Sequence, residues 1–350
     1  MEVSCRNPEN KMVEWFVIYK LPRAAKNNHQ YAQKKHGNEG TDYGYYDSTM
    51  TNGTFVDGIF GIEEDKNNPL ANSLRPVLVK KDSTTDQWLT YIVYNDQPPA
   101  PMKLRSRHTF GHTKGVVVSD LKRSMWLVHS VPRFPTGLFS GHYAYPHSAQ
   151  VFGQTILCFT FDAKLLNTAA SYLLKQQPHL SSGFAPDAVR RQNPDLDTLL
   201  KGAYVSKPPP IVRGTMTGID GTVFTSFAKS GSLDKDVYES VLAPALKTDL
   251  RVQSWRNGPG GKLQPDCRSA YKVQDVASLK VNIGQKVFRW PTEDDHSKWA
   301  LGKDGNWICI GSINRMHSQF PRGGETMCLQ HATLHKMFSQ AIDSVIPCPT

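Results

Sequence analysis

Apolar positions along the chain fall mostly in short runs rich in β-branched and aromatic residues, the pattern of strands. Such runs occupy residues 15–21, 88–94, 115–118, 125–131, 155–161, 222–227, 279–283 and 307–310. Helical periodicity appears between them. Residues 164–175 carry Leu165, Leu166, Ala169, Leu173 and Leu174 on one face, and residues 234–247 carry Val237, Val241, Leu242 and Leu246. Asp234 is placed to cap the second of these helices. A C-terminal helix is predicted over the second half of residues 325–345. Strands mixed with helices throughout give an α/β (α+β) chain. Residues 177–213 have weak periodicity and contain Pro194 and the run Pro208-Pro209-Pro210. They read as a link between two lobes, residues 1–205 and 206–350.

Composition adds a core and a partner class. Of 350 residues, 39% are hydrophobic and 21% charged, enough to bury a substantial interior. The formal net charge of +10 suits a polyanion, either nucleic acid or an acidic membrane surface. Twelve histidines add positive charge at endosomal pH. No stretch is long and apolar enough to span a bilayer as a helix, so no membrane anchor is expected, and no obligate protein partner is legible. None of the six cysteines forms a Cys-x-x-Cys pair, which argues against zinc ribbons and thioredoxin-type sites. Their even count fits three structural disulfides in an oxidising compartment, or six thiols in a reducing one, and spacing leaves all ~15 pairings open. Asn52-Gly53-Thr54 is a glycosylation sequon. The first residues read as a mature N-terminus behind a starter methionine, so a secretory signal would have been removed.

One pattern repeats. Residues 112–120 read HTKGVVVSD, and residues 296–304, 184 positions on, read HSKWALGKD. Each is His-x-Lys, then five residues, then Asp, beside a predicted strand. The spacing points to a duplicated lobe with one half-site in each copy. On a strand, residues i and i+2 share a face, so His112 projects with Lys114 and His296 with Lys298. Two imidazoles and two ammonium groups suit a phosphodiester. The lysines neutralise the non-bridging oxygens, one neutral histidine attacks phosphorus, and the other, protonated, serves the leaving alkoxide. Lysines in this role call for no metal and no cofactor. The run Glu293-Asp294-Asp295 before His296 is either a solvated turn or a source of negative charge for that imidazole. On the second reading His296 is the general acid and His112, beside an apolar run, the nucleophile.

Neighbouring residues extend the candidate site. Gly311-Ser312-Ile313-Asn314 can offer hydroxyl, amide and backbone donors to a phosphate. The corresponding stretch of the first half ends in His129-Ser130, where His129 is a third imidazole or a core histidine. Lys103, Arg105 and Arg107 form a basic cluster upstream of His112, either a track for a nucleic-acid backbone or a solvated loop.

His-x-Lys, a later Asp and then Gly-Ser-x-Asn resembles the phospholipase D superfamily pattern, with the Lys-to-Asp spacing one residue longer. The closer resemblance is to the deoxyribonuclease II family. It rests on EWFVIYKLP at 14–22, YIVYND at 91–96, GHTKGVV at 111–117, WLVHSVPRFP at 126–135, TSFAKS at 225–230, DHSKWA at 295–300, and WICIGSINR at 307–315 followed by RGGETMC at 322–328. The resemblance implies a phospholipase D-like pseudo-dimer, two similar β-sheet lobes flanked by helices with one active site between them. It implies metal-independent cleavage of DNA to 3′-phosphates at acid pH, in lysosomes or after secretion. It also implies disulfides Cys5–Cys158, Cys267–Cys348 and Cys309–Cys328, and essential histidines at His112 and His296. The competing readings are a lipid phosphodiesterase using the same four residues and a catalytically silent DNA-binding or toxin-like relative.

Overall fold

A computed structural model of the chain describes residues 2–27, 39–58, 60–79, 87–99 and 110–349. The central strands read as unbroken apolar runs because both faces of each large sheet are covered there. In the strand Trp15–Lys20 all six residues are buried. Trp15, Val17 and Tyr19 enter a core shared by the two sheets, while Phe16 and Ile18 enter a second core on the outer face. The helix Pro69–Leu78 seals that outer face, and helical residues 238–246 seal the corresponding face of the other sheet. Helices Leu166–Gln176 and Ala332–Gln340 contribute to the shared core. There Phe159 of one sheet stacks on Phe224 of the other at 4.4 Å. Burying one such side chain stabilises the fold by about 1.5–3 kcal/mol, so contacts of this kind join the lobes.

The first sheet runs Leu180–Phe184, Thr90–Asn95, Lys114–Ser119, Arg123–His129, Gln154–Asp162, Trp15–Lys20, Tyr43–Asp47, Val56–Asp57. The second runs Ile211–Thr217, Val223–Lys229, Gly324–Gln330, Trp307–Gly311, Trp299–Gly302, Leu250–Gln253, Val273–Ile283, Lys286–Pro291, Lys26–Asn27, with Ile342–Val345 added to Val273–Ile283. Five adjacent strands of one sheet match five of the other in order and antiparallel sense. Thr90–Asn95, Lys114–Ser119, Arg123–His129, Gln154–Asp162 and Trp15–Lys20 answer to Leu250–Gln253, Trp299–Gly302, Trp307–Gly311, Gly324–Gln330 and Val223–Lys229. This is the mixed architecture of two similar lobes that the repeated pattern implies.

Three local expectations change. Residues 177–213 hold more than a link: the edge strand Leu180–Phe184 and the helices Asp187–Gln192 and Pro194–Leu200 lie there. Those elements are too short to show periodicity. Asp234 caps no helix but closes a 3-10 turn at φ 48°. Asp236 instead accepts the Tyr238 amide at 3.3 Å, at the start of a π-turn over Tyr238–Leu242 that runs into Pro244. Proline lacks the amide that ordinary helical bonding needs there. The C-terminal helix spans Ala332–Gln340, and the residues after it form the strand Ile342–Val345.

All six cysteines are paired, as Cys5–Cys158, Cys267–Cys348 and Cys309–Cys328. Asp120 has a turn role: its carboxylate accepts the amides of Lys122, Arg123 and Val3. Asn52 of the sequon is exposed.

Candidate active site

Both His-x-Lys patterns sit where a matched strand begins. Lys114 opens Lys114–Ser119 and Lys298 immediately precedes Trp299–Gly302, so His112 and His296 lie on the approach to each strand rather than within it. What fixes them is a bond from the opposite lobe. The His112 amide donates to the Gly323 carbonyl at 2.7 Å, and the His296 amide donates to the Gly153 carbonyl at 2.8 Å. The registers Gln154↔Lys20 and Gly324↔Lys229 make Gly153 and Gly323 equivalent. Each lobe therefore positions the other's histidine. The four side chains are close enough that Lys298 acts electrostatically on His112, and Lys114 on His296.

Two buried lysines hold the positioning loops. Lys20 Nζ donates to the carbonyls of Ala149 and Gln150 at 2.8 and 2.9 Å. Lys229 Nζ donates to those of Phe320 and Arg322 at 2.7 and 2.6 Å. Burial pushes them down to about 7 and about 8. Their signal was present in the sequence, in EWFVIYKLP and TSFAKS, but their work on loops distant in the chain was not.

The two half-sites differ in what flanks the imidazole. His112 Nδ1 donates to the Ser312 carbonyl at 2.5 Å, which leaves Nε2 3.9 Å from Asp96 Oδ2. Asp96 also binds the Lys114 ammonium, and Arg322 Nη2 at 2.9 Å. Burial by itself would raise the Asp96 carboxyl, but Lys114, His112 and Arg322 outweigh burial and hold it well below the usual carboxylate range. Burial and then the Lys114 charge push His112 well below 6.5, with Asp96 pulling it back upward. Among the described residues, His296 has no such carboxylate. Its ring stacks on Phe152, centroids 3.9 Å apart and 8° from parallel, with Trp255 edge-on at 4.5 Å. His296 Nε2 is buried with no hydrogen-bond partner among the described residues. Burial, then Lys298, Lys114 and Lys20, push this imidazole down to about 2.

The acidic run does not tune His296. Asp295 is buried, and its carboxylate is consumed by Tyr19 Oη, Trp290 Nε1 and the Ser297 amide at 2.7–2.9 Å. The carboxylate beside a candidate catalytic imidazole is Asp96, next to His112. Lys298 donates to the His296 carbonyl, and burial and the Lys114 charge bring it down to about 7.

Several other candidates take structural work. His129 is fully buried, accepts the Val131 amide at Nδ1 and is pushed by burial to about 3. Ser130 Oγ accepts the Thr155 amide and donates to Gln154. Ser312 Oγ bonds the amide and carbonyl of Glu325 in the same way, so these two serines are matched ties between strands. Ser130 and the Ser312 hydroxyl thus have their bonds within the scaffold, whereas His129 Nε2 is buried without a hydrogen-bond partner among the described residues. Asn314 Oδ1 accepts the Trp255 amide at 3.2 Å, which leaves its amide nitrogen. Lys103 and Arg105 lie outside the described residues. Among the described residues no three His, Cys, Asp or Glu side chains cluster as metal ligands.

Sequence reasoning passed over Asp96, Phe152, Trp255 and Arg322. A second repeat could have found two of them: His147-Ser148 with Gly153 answers to His317-Ser318 with Gly323. Phe152 and Arg322 are the residues before those glycines.

The family model "Deoxyribonuclease II" matches residues 4–348. Mouse deoxyribonuclease-2-alpha is 35% identical over 99% of this chain and 94% of its own length. Deoxyribonuclease-2 of Caenorhabditis elegans is 33% identical over 96% and 92%. Plancitoxin-1 of Acanthaster planci is 32% identical over 99% and 92%. Matched over nearly its whole length, and carrying both His-x-Lys half-sites, the chain belongs to the deoxyribonuclease II family.

Proposed function

We propose that this protein is an acid endonuclease that hydrolyses DNA phosphodiesters to 3′-phosphate ends through a phosphohistidine, with lysines supplying the charge a divalent metal would otherwise bring. The observation that supports this best is the convergence of two His-Lys pairs, each held in place by a glycine carbonyl of the opposite lobe. The net charge of +10 suits the polyanionic substrate. The three disulfides suit secretion or a lysosomal lumen.

The asymmetry of the half-sites supports a division of labour opposite to the one the acidic run implies. His296, stacked on Phe152 and repelled by Lys298, Lys114 and Lys20, is neutral and attacks phosphorus. His112, with Asp96 beside Nε2, carries the proton. The N–P bond to His296 forms as the P–O5′ bond breaks, and His112 gives its proton to O5′. Neutral His112 then takes a proton from water, whose oxygen attacks phosphorus and displaces His296, leaving the phosphate on O3′. Lys114 and Lys298 stabilise the charge on the non-bridging oxygens throughout. The acid optimum follows from His112. Its proton is held below 6.5, so activity falls as pH rises through that depressed value. His296 stays neutral down to about 2.

The test is plasmid digestion at about pH 5 in excess chelator, with end-group analysis. The expected result is undiminished cleavage leaving 3′-phosphates. Loss of cleavage in chelator with restoration by magnesium would overturn the proposal.

A further inference from the structure

The flanking residues of the two imidazoles stand at equivalent places. The registers Asn95↔Lys114 and Gln253↔Trp299, carried on along the strands, bring Asp96 and Trp255 into correspondence. Phe152 and Arg322 correspond as the residues before Gly153 and Gly323. At each half-site the two flanking residues also touch each other: Arg322 pairs with Asp96 at 2.9 Å, and Phe152 packs on Trp255 with centroids 6.4 Å apart. One scaffold thus carries an ion pair beside one histidine and an aromatic pair beside the other.

We propose that Phe152 and Trp255 are positioning residues for His296, holding its imidazole stacked and shielded from water so that it remains a neutral nucleophile at the acid pH where His112 must be protonated. The inference rests on the assignment of His296 as nucleophile. An unshielded histidine, with a pKa of about 6.5, is mostly protonated at about pH 5 and cannot attack. An acid enzyme with a histidine nucleophile must therefore suppress that protonation on one ring while allowing it on the other.

The groups facing His296 all act in this direction or are already occupied. Lys298, Lys114 and Lys20 repel a proton from it. Asp295 is consumed by its three donors, and Glu293 and Asp294 lie on the lead-in turn outside the buried strand. Arg256, next to Trp255, is paired with Asp275 at 3.6 Å. A ring face by itself attracts a cation, so Phe152 does not act by its π-system. It acts by occupying the side from which water would solvate an imidazolium, and its parallel stack fixes the ring plane. The Phe152 loop comes from the opposite lobe and is anchored by Lys20, so the shield exists only when the lobes are docked.

The experiment measures kcat/KM on DNA between about pH 3 and pH 7 for the wild type, Phe152→Ala, Phe152→Leu and Trp255→Leu, each checked for native folding by circular dichroism. Phosphohistidine is mapped in parallel on wild-type enzyme. In Phe152→Ala and Trp255→Leu the acid limb should move up by about one pH unit, from about 2 to about 3, giving roughly two-fold loss at pH 3 and little change at pH 5 and above. Phe152→Leu, which keeps the cover, should restore most of the wild-type profile. Should Phe152→Ala fail to fold, Trp255→Leu against wild type carries the same reading. A loss uniform across pH, or an unchanged profile, with phosphate on His296, overturns the shielding role and leaves the mechanism standing. Phosphate on His112 instead overturns the assignment beneath it.

Discussion

Asp96→Asn removes the carboxylate beside His112, the proposed general acid, while keeping its shape. Asp96 Oδ2 lies 3.9 Å from His112 Nε2, and both side chains are largely buried, 5% and 12% exposed. At that separation and an effective dielectric of about 20, the charge–charge energy is about 4 kcal/mol. Relaxation and water reduce the part felt as a shift, and a paired charge at such range is worth about 1–3 pKa units. His112 should lose its proton at least one unit lower in the variant. The alkaline limb of kcat/KM would then move toward acid, with about ten-fold or greater loss at pH 5 and partial recovery on further acidification. Lys114 and Arg322 also lose their partner. An unpaired buried charge costs about 3–5 kcal/mol, so the melting temperature should fall, more above pH 4 than below it. That sign follows from the depressed carboxyl: its contribution is present above the unfolded value of about 3.9 and disappears as pH falls through the folded one. The assay is the pH profile on DNA beside a p-nitrophenyl ester of thymidine 3′-phosphate, whose leaving group needs little protonation. Asp96→Asn should be far less impaired on the ester. An unshifted or alkaline-shifted limb, or equal loss on both substrates, would refute the role given to Asp96.

His112→Ala should stop turnover of DNA yet still form phosphohistidine on His296 from the p-nitrophenyl ester, whereas His296→Ala should form none, as mass spectrometry of the two variants will show. Lys298→Met removes transition-state charge stabilisation and should lower kcat by about 10²–10³ with a smaller change in KM, read from steady-state kinetics. Burial raises the Glu325 carboxyl to about 8. Its neutral form favours the fold fully below the unfolded value of about 4.3, and that support is lost as pH rises toward 8. The melting temperature should therefore fall between pH 5 and 8, and Glu325→Gln should flatten that slope. Cys309 and Cys328 tie adjacent strands below the Ser312 turn. Replacing both with alanine should cost about 2–5 kcal/mol in chemical denaturation.

The His-x-Lys pairs were legible because their chemistry and spacing both repeat, and the strands because both sheet faces are buried and leave long apolar runs. Asp96 and Trp255 were not legible. They sit at strand ends far from their histidines in sequence, and only sheet register brings them alongside. Phe152 and Arg322 were legible only through the second repeat, as the residues before Gly153 and Gly323, since each serves the half-site of the opposite lobe. The acidic run misled because local proximity stood in for contact: Asp295 adjoins His296 in the chain, yet it is buried against Tyr19 and Trp290. Ser312 shows the same limit, since its hydroxyl, beside the site in sequence, bonds the amide and carbonyl of Glu325.

The most direct test of the account is the location of the covalent intermediate. Wild-type enzyme turning over DNA in excess chelator at about pH 5, stopped with alkali to preserve the acid-labile N–P bond and mapped by mass spectrometry, should carry phosphate on His296 and none on His112. Phosphate on His112 would reverse the division of labour, and no phosphohistidine at all under conditions of full cleavage would contradict the two-histidine mechanism itself.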